Sequence, residues 1–387
     1  MKLDKKLENN DLIYNIDLDN FFNEIEAIKK EIDSNLNYND FKHLKKIERW
    51  SNLLTILGYL TSFISINPLS PILIGMGNTT RWGCIVHHIS HKAFDKIDGV
   101  PKRYTSKGFA VGKRRFLDWL DWLYPLAWNY EHNILHHYHT GEIYDPDLVE
   151  KHTEIIRTNK VPTFIKYFIL IFFMCTWKLI YYAPNTLWVL QESRKNLKQK
   201  KKAREVLDHI DSLYAGTKII LPVNKGGLEL WAKCILPYIG IRFLLIPSLF
   251  LPLGEKAFYY VLINSILGEI VANIYSFIII GPNHTGDDLY RFDTTVKNKK
   301  EFYFRQVIGS VNYPCGTDLK DFLYCGLNYQ IEHHLWPDIP MSKYQQYQPK
   351  VKAICEKYNV PYVQEGVFRR LVKMFEIMTG KKSLKKY

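Results

Sequence analysis

Apolar and polar positions alternate through the first fifty residues, as in E-I-E-A-I-K-K-E-I-D, which predicts one or two amphipathic helices over 1–48. From about Ser51 to Val86 the chain is mostly apolar and is broken at I-N-P-L-S-P. Apolar runs of roughly 17–25 residues span a bilayer as helices. Asn67, Pro68 and Pro71 fold this stretch into a hairpin with a small uncharged tip. A second apolar pair runs from about Leu230 to Leu253 and from Ala257 to Gly281, around the turn P-L-G-E-K. Membrane hairpins are therefore expected at about 51–86 and 230–281.

A third apolar stretch, Thr163 to Leu190, is followed by the densely basic S-R-K-N-L-K-Q-K-K-K-A-R. Positive-inside bias puts that segment in the cytoplasm, and so it puts there the polar region 87–160 if the first hairpin returns to its starting side. A single crossing at 163–190 would separate the two. The segment is therefore expected to be re-entrant or interfacial, with a hairpin around Ala183-Pro184-Asn185 as the alternative. The predicted architecture is an all-α integral membrane protein with four transmembrane helices in two hairpins. Its parts are a cytoplasmic amphipathic segment over 1–48, a main domain over 49–350, and a basic C-terminal tail over 351–387 with a solvated face.

Composition refines this picture. Hydrophobic residues make up 47% of the 387 positions, yet the mean hydropathy is −0.19, so most of the mass lies outside lipid. The excess of 52 Lys+Arg over 39 Asp+Glu gives a formal charge of +13. Nucleic acid and an anionic lipid leaflet both suit such a surface; the membrane segments favour lipid, and no nucleic-acid partner is expected. A lysine-rich composition alone gives the same charge without any partner. No signal peptide opens the chain, so its start is expected in the cytoplasm. None of the six cysteines forms a C-x-x-C pair, which argues against a disulfide framework or a cysteine-based zinc site.

The candidate chemistry lies in the 13 histidines, of which only His43, His152 and His209 stand apart. H-H-I-S-H supplies His87, His88 and His91 where the first hairpin ends. E-H-N-I-L-H-H-Y-H supplies His132, His136, His137 and His139. Asn283-His284 follows the last apolar arm, and Q-I-E-H-H supplies Gln330, His333 and His334. Residues three or four apart share a helical face. His87 and His91 can thus aim at one centre, and so can His132 and His136, with His137 turned to a neighbouring centre. Imidazole suits iron, copper, nickel and zinc. About eight imidazoles exceed the capacity of one ion, so two metals with open positions are expected, and the absence of clustered thiolates or carboxylates disfavours structural zinc and calcium. His88 and His139 read as spare members that face solvent or support the ligands. His284 reads either as a ligand or as a satisfied interfacial histidine. Asn283 either holds a metal-bound water or closes a turn.

Together these strings resemble the histidine boxes of the membrane fatty acid desaturase family: H-H-I-S-H, H-N-I-L-H-H and Q-I-E-H-H, in the contexts W-N-Y-E-H-N-I-L-H-H and G-L-N-Y-Q-I-E-H-H-L-W-P. The last string is similar to the third box of front-end desaturases, in which Gln replaces the first histidine. The resemblance covers about residues 70–350. It implies a cytoplasmic helical cap over four membrane helices, two Fe ions held by the boxes, and O2-dependent removal of two hydrogens from an acyl chain. The ligands it implies are His87, His91, His132, His136, His137, His284, His333 and His334, with no catalytic residue beyond the metal centre. His88, His139, Asn283 and Gln330 are possible ligands or supports, and Gln330 is expected to bind through its oxygen or to orient a ligand or water. The implied substrate is an acyl lipid or acyl-CoA in the membrane. The chain lacks the His-Pro-Gly-Gly of a fused cytochrome b5 domain, so the expected electron donor is a separate cytochrome b5 or ferredoxin. His88 stands where many front-end members have Asp, which weakens any transfer of regiochemistry.

An unactivated methylene has no acidic proton, so the chemistry needs a metal-bound oxidant in a dry, narrow apolar channel. Trp82, Trp119, Trp122 and Trp128 are expected as wall residues. Asp145-Pro146-Asp147 reads as a helix start, or as a bond to a box histidine. A hydroxylase acting on an acyl, sphingoid or carotenoid chain is the alternative on the same scaffold. A non-catalytic metal-binding membrane protein is the alternative from another class.

Overall fold

A computed structural model describes residues 16–198 and 216–387. The end of the basic run, 199–204, lies outside these residues. The first described helix, Leu18–Ser34, starts at Asp17, whose side chain accepts from Asn20 N. It packs on the helix Met341–Lys357. The next helix, Tyr38–Ser62, opens on a capping box between Asn37 and Asp40. The boundary expected at 48 falls inside this helix, because the start signal lies at Asn37 and nothing near residue 48 breaks the ladder.

Tyr38–Ser62 and Leu69–Thr80 form the first hairpin, and both pack on the helix that follows Glu255. Small residues let them approach: a Cβ on Gly75 would lie 2.8 Å from Gly268 O. Among the described residues, three helices are long and apolar enough to cross a membrane: Thr163–Asn196, Lys225–Leu253 and Glu255–His284. Neither arm of the first hairpin is one of them. The tips of the two hairpins meet where the rings of Phe63 and Phe250 stack at 5.7 Å. Asn264 Nδ2 donates to Ser62 O and Ser65 O at the same end.

Thr163–Asn196 corrects the expectation of a chain reversal there. It runs through Pro184 without turning back, so it is neither re-entrant nor a hairpin. The reason lies in Lys178–Tyr182, which is π-helical. Ala183 N donates to Lys178 O, so the ladder is already shifted where Pro184 lacks its N–H. The ends of this helix touch the same side of the molecule. Lys166 Nζ donates to Arg157 O and Thr379 O, and Gln191 donates to Glu229 at the start of Lys225–Leu253.

The remaining chain folds as short helices and loops over the ends of these helices, with two parallel strand pairs of two residues each. Tyr290–Arg291 pairs with Lys385–Lys386, and Val311–Asn312 with Val363–Gln364. These pairs fasten the segment expected as a solvated tail. The boundary at 350 falls within Met341–Lys357, and Val367–Met378 buries Val367, Arg370, Met374, Ile377 and Met378.

Candidate metal centre and acyl cavity

Three π-helical turns surround the site: Arg81–Val86, Asn129–His136 and Lys178–Tyr182. Hydrogen bonding from i to i+5 widens a turn, and such turns recur at functional sites. The first delivers His87 and His91 from the end of the hairpin. The second changes the expected pairing in the second box. In an α-helix His132 and His136 would share a face and His137 would diverge. Here His132 and His137 converge with His87, His91 and His333, while His136 joins His284 and His334. His132 and His136 also meet around Asp147. All eight expected ligands are thus gathered in two adjoining sets, whose ring centroids touch at 4.4 Å between His137 and His334.

The outer hydrogen bonds explain how the rings are aimed. His87 Nδ1 meets Gly83 O at 3.2 Å, His136 Nδ1 meets Asp145 Oδ1 at 2.8 Å, and His284 Nδ1 meets Gly309 O at 3.0 Å. His334 Nδ1 lies 2.9 Å from Gln306 Oε1 and 3.1 Å from Thr140 Oγ1. The carbonyl and carboxylate acceptors require Nδ1–H, which leaves each Nε2 lone pair facing the interior. Nε2 of His91, His137, His333 and His334 has no hydrogen-bond partner although buried. Such a set of orphaned acceptors is costly unless cations complete it, so the donor set fits two imidazole-ligated metal ions. Burial pushes the pKa values of His91, His132, His137, His333 and His334 well below the ordinary histidine range, so these rings are neutral, the ligating form. His136 differs: burial acts against its charge, but the Asp145 carboxylate outweighs this and raises its pKa.

The supporting residues divide. His88 does not face solvent; it is buried behind His87, with neither ring nitrogen paired, and it joins neither set. His139 lies outside too, held through Nδ1 to Glu142 at 2.8 Å. Asn283 donates to Gln330 Oε1 at 3.1 Å and to Leu327 O at 3.2 Å. Gln330 in turn places its Nε2 2.8 Å from His284 Nε2, so its amide reaches a ring nitrogen of the second set. Asp145 takes the second of its expected roles, the bond to a box histidine, and also accepts from Asp147 N and Gly141 N, each at 2.8 Å, in a turn rather than a helix start. No helix starts at Pro146; the next begins at Val149.

Beside the rings lies a cavity of about 1000 Å³ including its mouth. His87, His132, His136 and His284 border it at one side. Trp82 and Trp128 are walls as expected. Trp119 instead packs behind Trp128 at 5.6 Å, and Trp122 donates to Glu269 at 2.6 Å and stacks near Tyr238. The reason is register: the residues between the first two boxes fold as short turns, so consecutive tryptophans face different layers. Phe173, Trp177, Tyr181 and Tyr182 add the wall from Thr163–Asn196. His152, which stands apart in sequence, is another wall residue. Its only signal in the sequence is its nearness to Asp145, whose carbonyl it meets at 3.4 Å. Glu131 is the other buried group missed by spacing. Burial and the neighbouring Asp147 and Asp145 push its carboxyl well up.

Two neighbouring sets of imidazoles able to hold metal ions, beside an apolar cavity and helices able to cross a membrane, fit the class of membrane metalloenzymes that act on apolar substrates. The family model for fatty acid desaturase matches residues 64–366, and the chain belongs to that family. It is 22% identical over 358 residues to the NADPH-dependent stearoyl-CoA 9-desaturase of Mycobacterium tuberculosis, covering 89% of this chain and 75% of that one. Shorter matches, each about a quarter of either chain, are to Delta(8)-fatty-acid desaturase 2 of Arabidopsis thaliana, 29% identical over 113 residues (29% and 23% covered), and to Delta(6)-fatty-acid desaturase fat-3 of Caenorhabditis elegans, 30% identical over 110 residues (28% and 23%). The protein is therefore a fatty acid desaturase, an oxidoreductase whose buried histidine cluster is suited to two metal ions.

Proposed function

We propose that this desaturase is a di-iron, O2-dependent enzyme acting on an acyl lipid or acyl-CoA, with His87, His91, His132, His137 and His333 around one iron and His136, His284 and His334 around the other. The observation that carries this reading is the buried, unpaired Nε2 atoms of His91, His137, His333 and His334, in two sets whose other members, His87, His132, His136 and His284, border the apolar cavity. The irons, when bound, supply the O2-derived oxidising power that acid–base groups cannot provide. The protein's part is positional. The cavity walls hold a methylene pair beside the histidines and keep water away. Asp145 fixes His136, and Gly309 O fixes His284. In the overall balance two hydrogens leave the acyl chain, an external donor gives two electrons, two protons enter, and O2 becomes two waters.

The donor is a separate cytochrome b5 or ferredoxin; the NADPH dependence in the mycobacterial relative's name supports an external source of reducing power. Both hairpins are proposed to span the bilayer as four helices, with the histidines in a cap on the cytoplasmic face. The meeting of the two tips at Phe63 and Phe250 supports this, as do the lysines and arginines of 92–114 on the histidine side. On this reading Thr163–Asn196 lies along the interface, which agrees with the contacts of Lys166 and Gln191 at one end of the bundle.

The deciding experiment expresses the chain in a host of defined lipid composition, with metal analysis and mass spectrometry of the fatty acids. Stoichiometric iron and products lighter by two hydrogens are expected. A gain of oxygen would assign a hydroxylase instead. Zinc in place of iron, with no O2 consumption, would refute the di-iron reading.

A further inference from the structure

The helix Val367–Met378 begins just beyond residue 366, where the family match ends. It runs antiparallel to the last turns of Glu255–His284, in steps of four residues. Arg370 Nη2 donates to Thr285 O at 2.8 Å beside the histidines. One turn on, Met374 reaches Gly281, where an added Cβ would lie 2.8 Å from its sulfur. Phe375 packs near Phe277 with ring centroids at 6.4 Å. The helix ends where Lys166 Nζ donates to Thr379 O at 3.1 Å. Met374 and Met378 both face the cavity and are almost fully buried, at 1% and 3% exposure. The two methionines therefore stand at successive depths, about 6 Å apart along the helix axis, with Met378 farther from His284.

We propose that Met374 and Met378 set the acyl chain length the enzyme accepts, Met374 flanking the chain and Met378 bounding its far end. The inference rests on reading the cavity as the acyl channel. It follows from position and from side-chain chemistry. Both residues are unbranched thioethers with no hydrogen-bonding demand, and their flexible stems fit variable apolar shapes. A chain lying beside the histidines must pass Met374 before reaching Met378. Arg370 holds this wall in place: it is fully buried, paired with Asp288 at 2.6 Å. A difference of one methylene in a hydrophobic pocket changes discrimination by roughly 10–200-fold, so one added or removed side chain here gives a measurable effect.

The test compares the wild type, Met378→Ala, Met374→Phe and Phe173→Ala, a wall substitution outside this helix, in the same lipid-defined host. The product profile is normalised to membrane-inserted protein. Met378→Ala should raise the ratio of longer to shorter desaturated chains about tenfold, and Met374→Phe should lower it comparably. Independently, a fatty acid carrying a diazirine at its methyl end should label the 367–378 peptide of the unmodified protein, which needs no variant to fold. A shifted profile in Phe173→Ala, with both methionine variants within twofold of wild type and no label on 367–378, would overturn the role of the helix and leave the channel reading standing. No shift in any variant, with no label on any cavity peptide, would overturn both.

Discussion

Gln330 Nε2 lies 2.8 Å from His284 Nε2, while Gln330 Oε1 accepts from Asn283 Nδ2 at 3.1 Å. The second bond orients the amide so that its NH2 faces His284 Nε2, and a metal held by that nitrogen would displace this contact. His284 does not need this contact for its own orientation, because its Nδ1 is held by Gly309 O. Gln330→His should therefore retain metal and change turnover, read by metal analysis and fatty acid profiling. Unchanged turnover would show the amide to be dispensable.

The Asp145 carboxylate aims His136 and makes its ring more basic. Losing such an outer partner typically costs 10–100-fold in metal affinity. Asp145→Ala should weaken metal binding by about that factor, measured by competition with a chelator. His139→Ala should leave affinity unchanged, since that ring is turned to Glu142. Equal loss in both would contradict the division of the second box.

Metal-free protein should lose stability as pH falls below neutrality. Burial lowers the His87 pKa from the usual 6.5 to about 4. The folded ring is then unprotonated where the unfolded one takes a proton, so its contribution is full above pH 6.5 and declines until about pH 4. For this one residue the loss is about 3 kcal/mol; His91, His132, His137, His333 and His334 add in the same direction, and His136, whose pKa Asp145 raises, opposes them. Thermal melting in detergent between pH 7 and 4.5 checks this. A metal-free melting temperature independent of pH would refute it.

Lys178 and Asp121 form a buried ion pair at 2.6 Å, with Lys178 Nζ 4.3 Å from the Trp82 ring. Removing one partner strands the other charge. Lys178→Met should cost about 3–5 kcal/mol, while Lys178→Met combined with Asp121→Asn should recover most of it. A double variant no better than the single one would show that the ammonium is held by the indole rather than by the carboxylate.

Much of this was legible in the chain itself. Histidine spacing named seven of the eight rings that converge, because a metal site demands several imidazoles and few other roles cluster them; His284, isolated in the chain, was named by the family resemblance. The run around residue 250 marked the second hairpin, because apolar length and a Pro-Gly turn are local properties. The partition of the rings was not legible. Whether His136 or His137 joins His132 depends on a shift from i+4 to i+5 hydrogen bonding, which no pattern of residue types records. The same shift hid the continuity of Thr163–Asn196 through Pro184.

By itself, then, the sequence determined the ligand types and the apolar segments, since each is set by composition within a few turns of chain, and the resemblance of its histidine boxes implied the reaction class. Tertiary structure alone decided which ring faces which set, how Asn283, Gln330 and His284 connect, and that His152 and the methionines of Val367–Met378 reach the cavity. These are contacts between segments up to about three hundred residues apart, and their geometry comes from packing, which residue spacing does not carry. The histidine boxes fixed what the site can hold; the packed helices around them fixed the shape of what can enter.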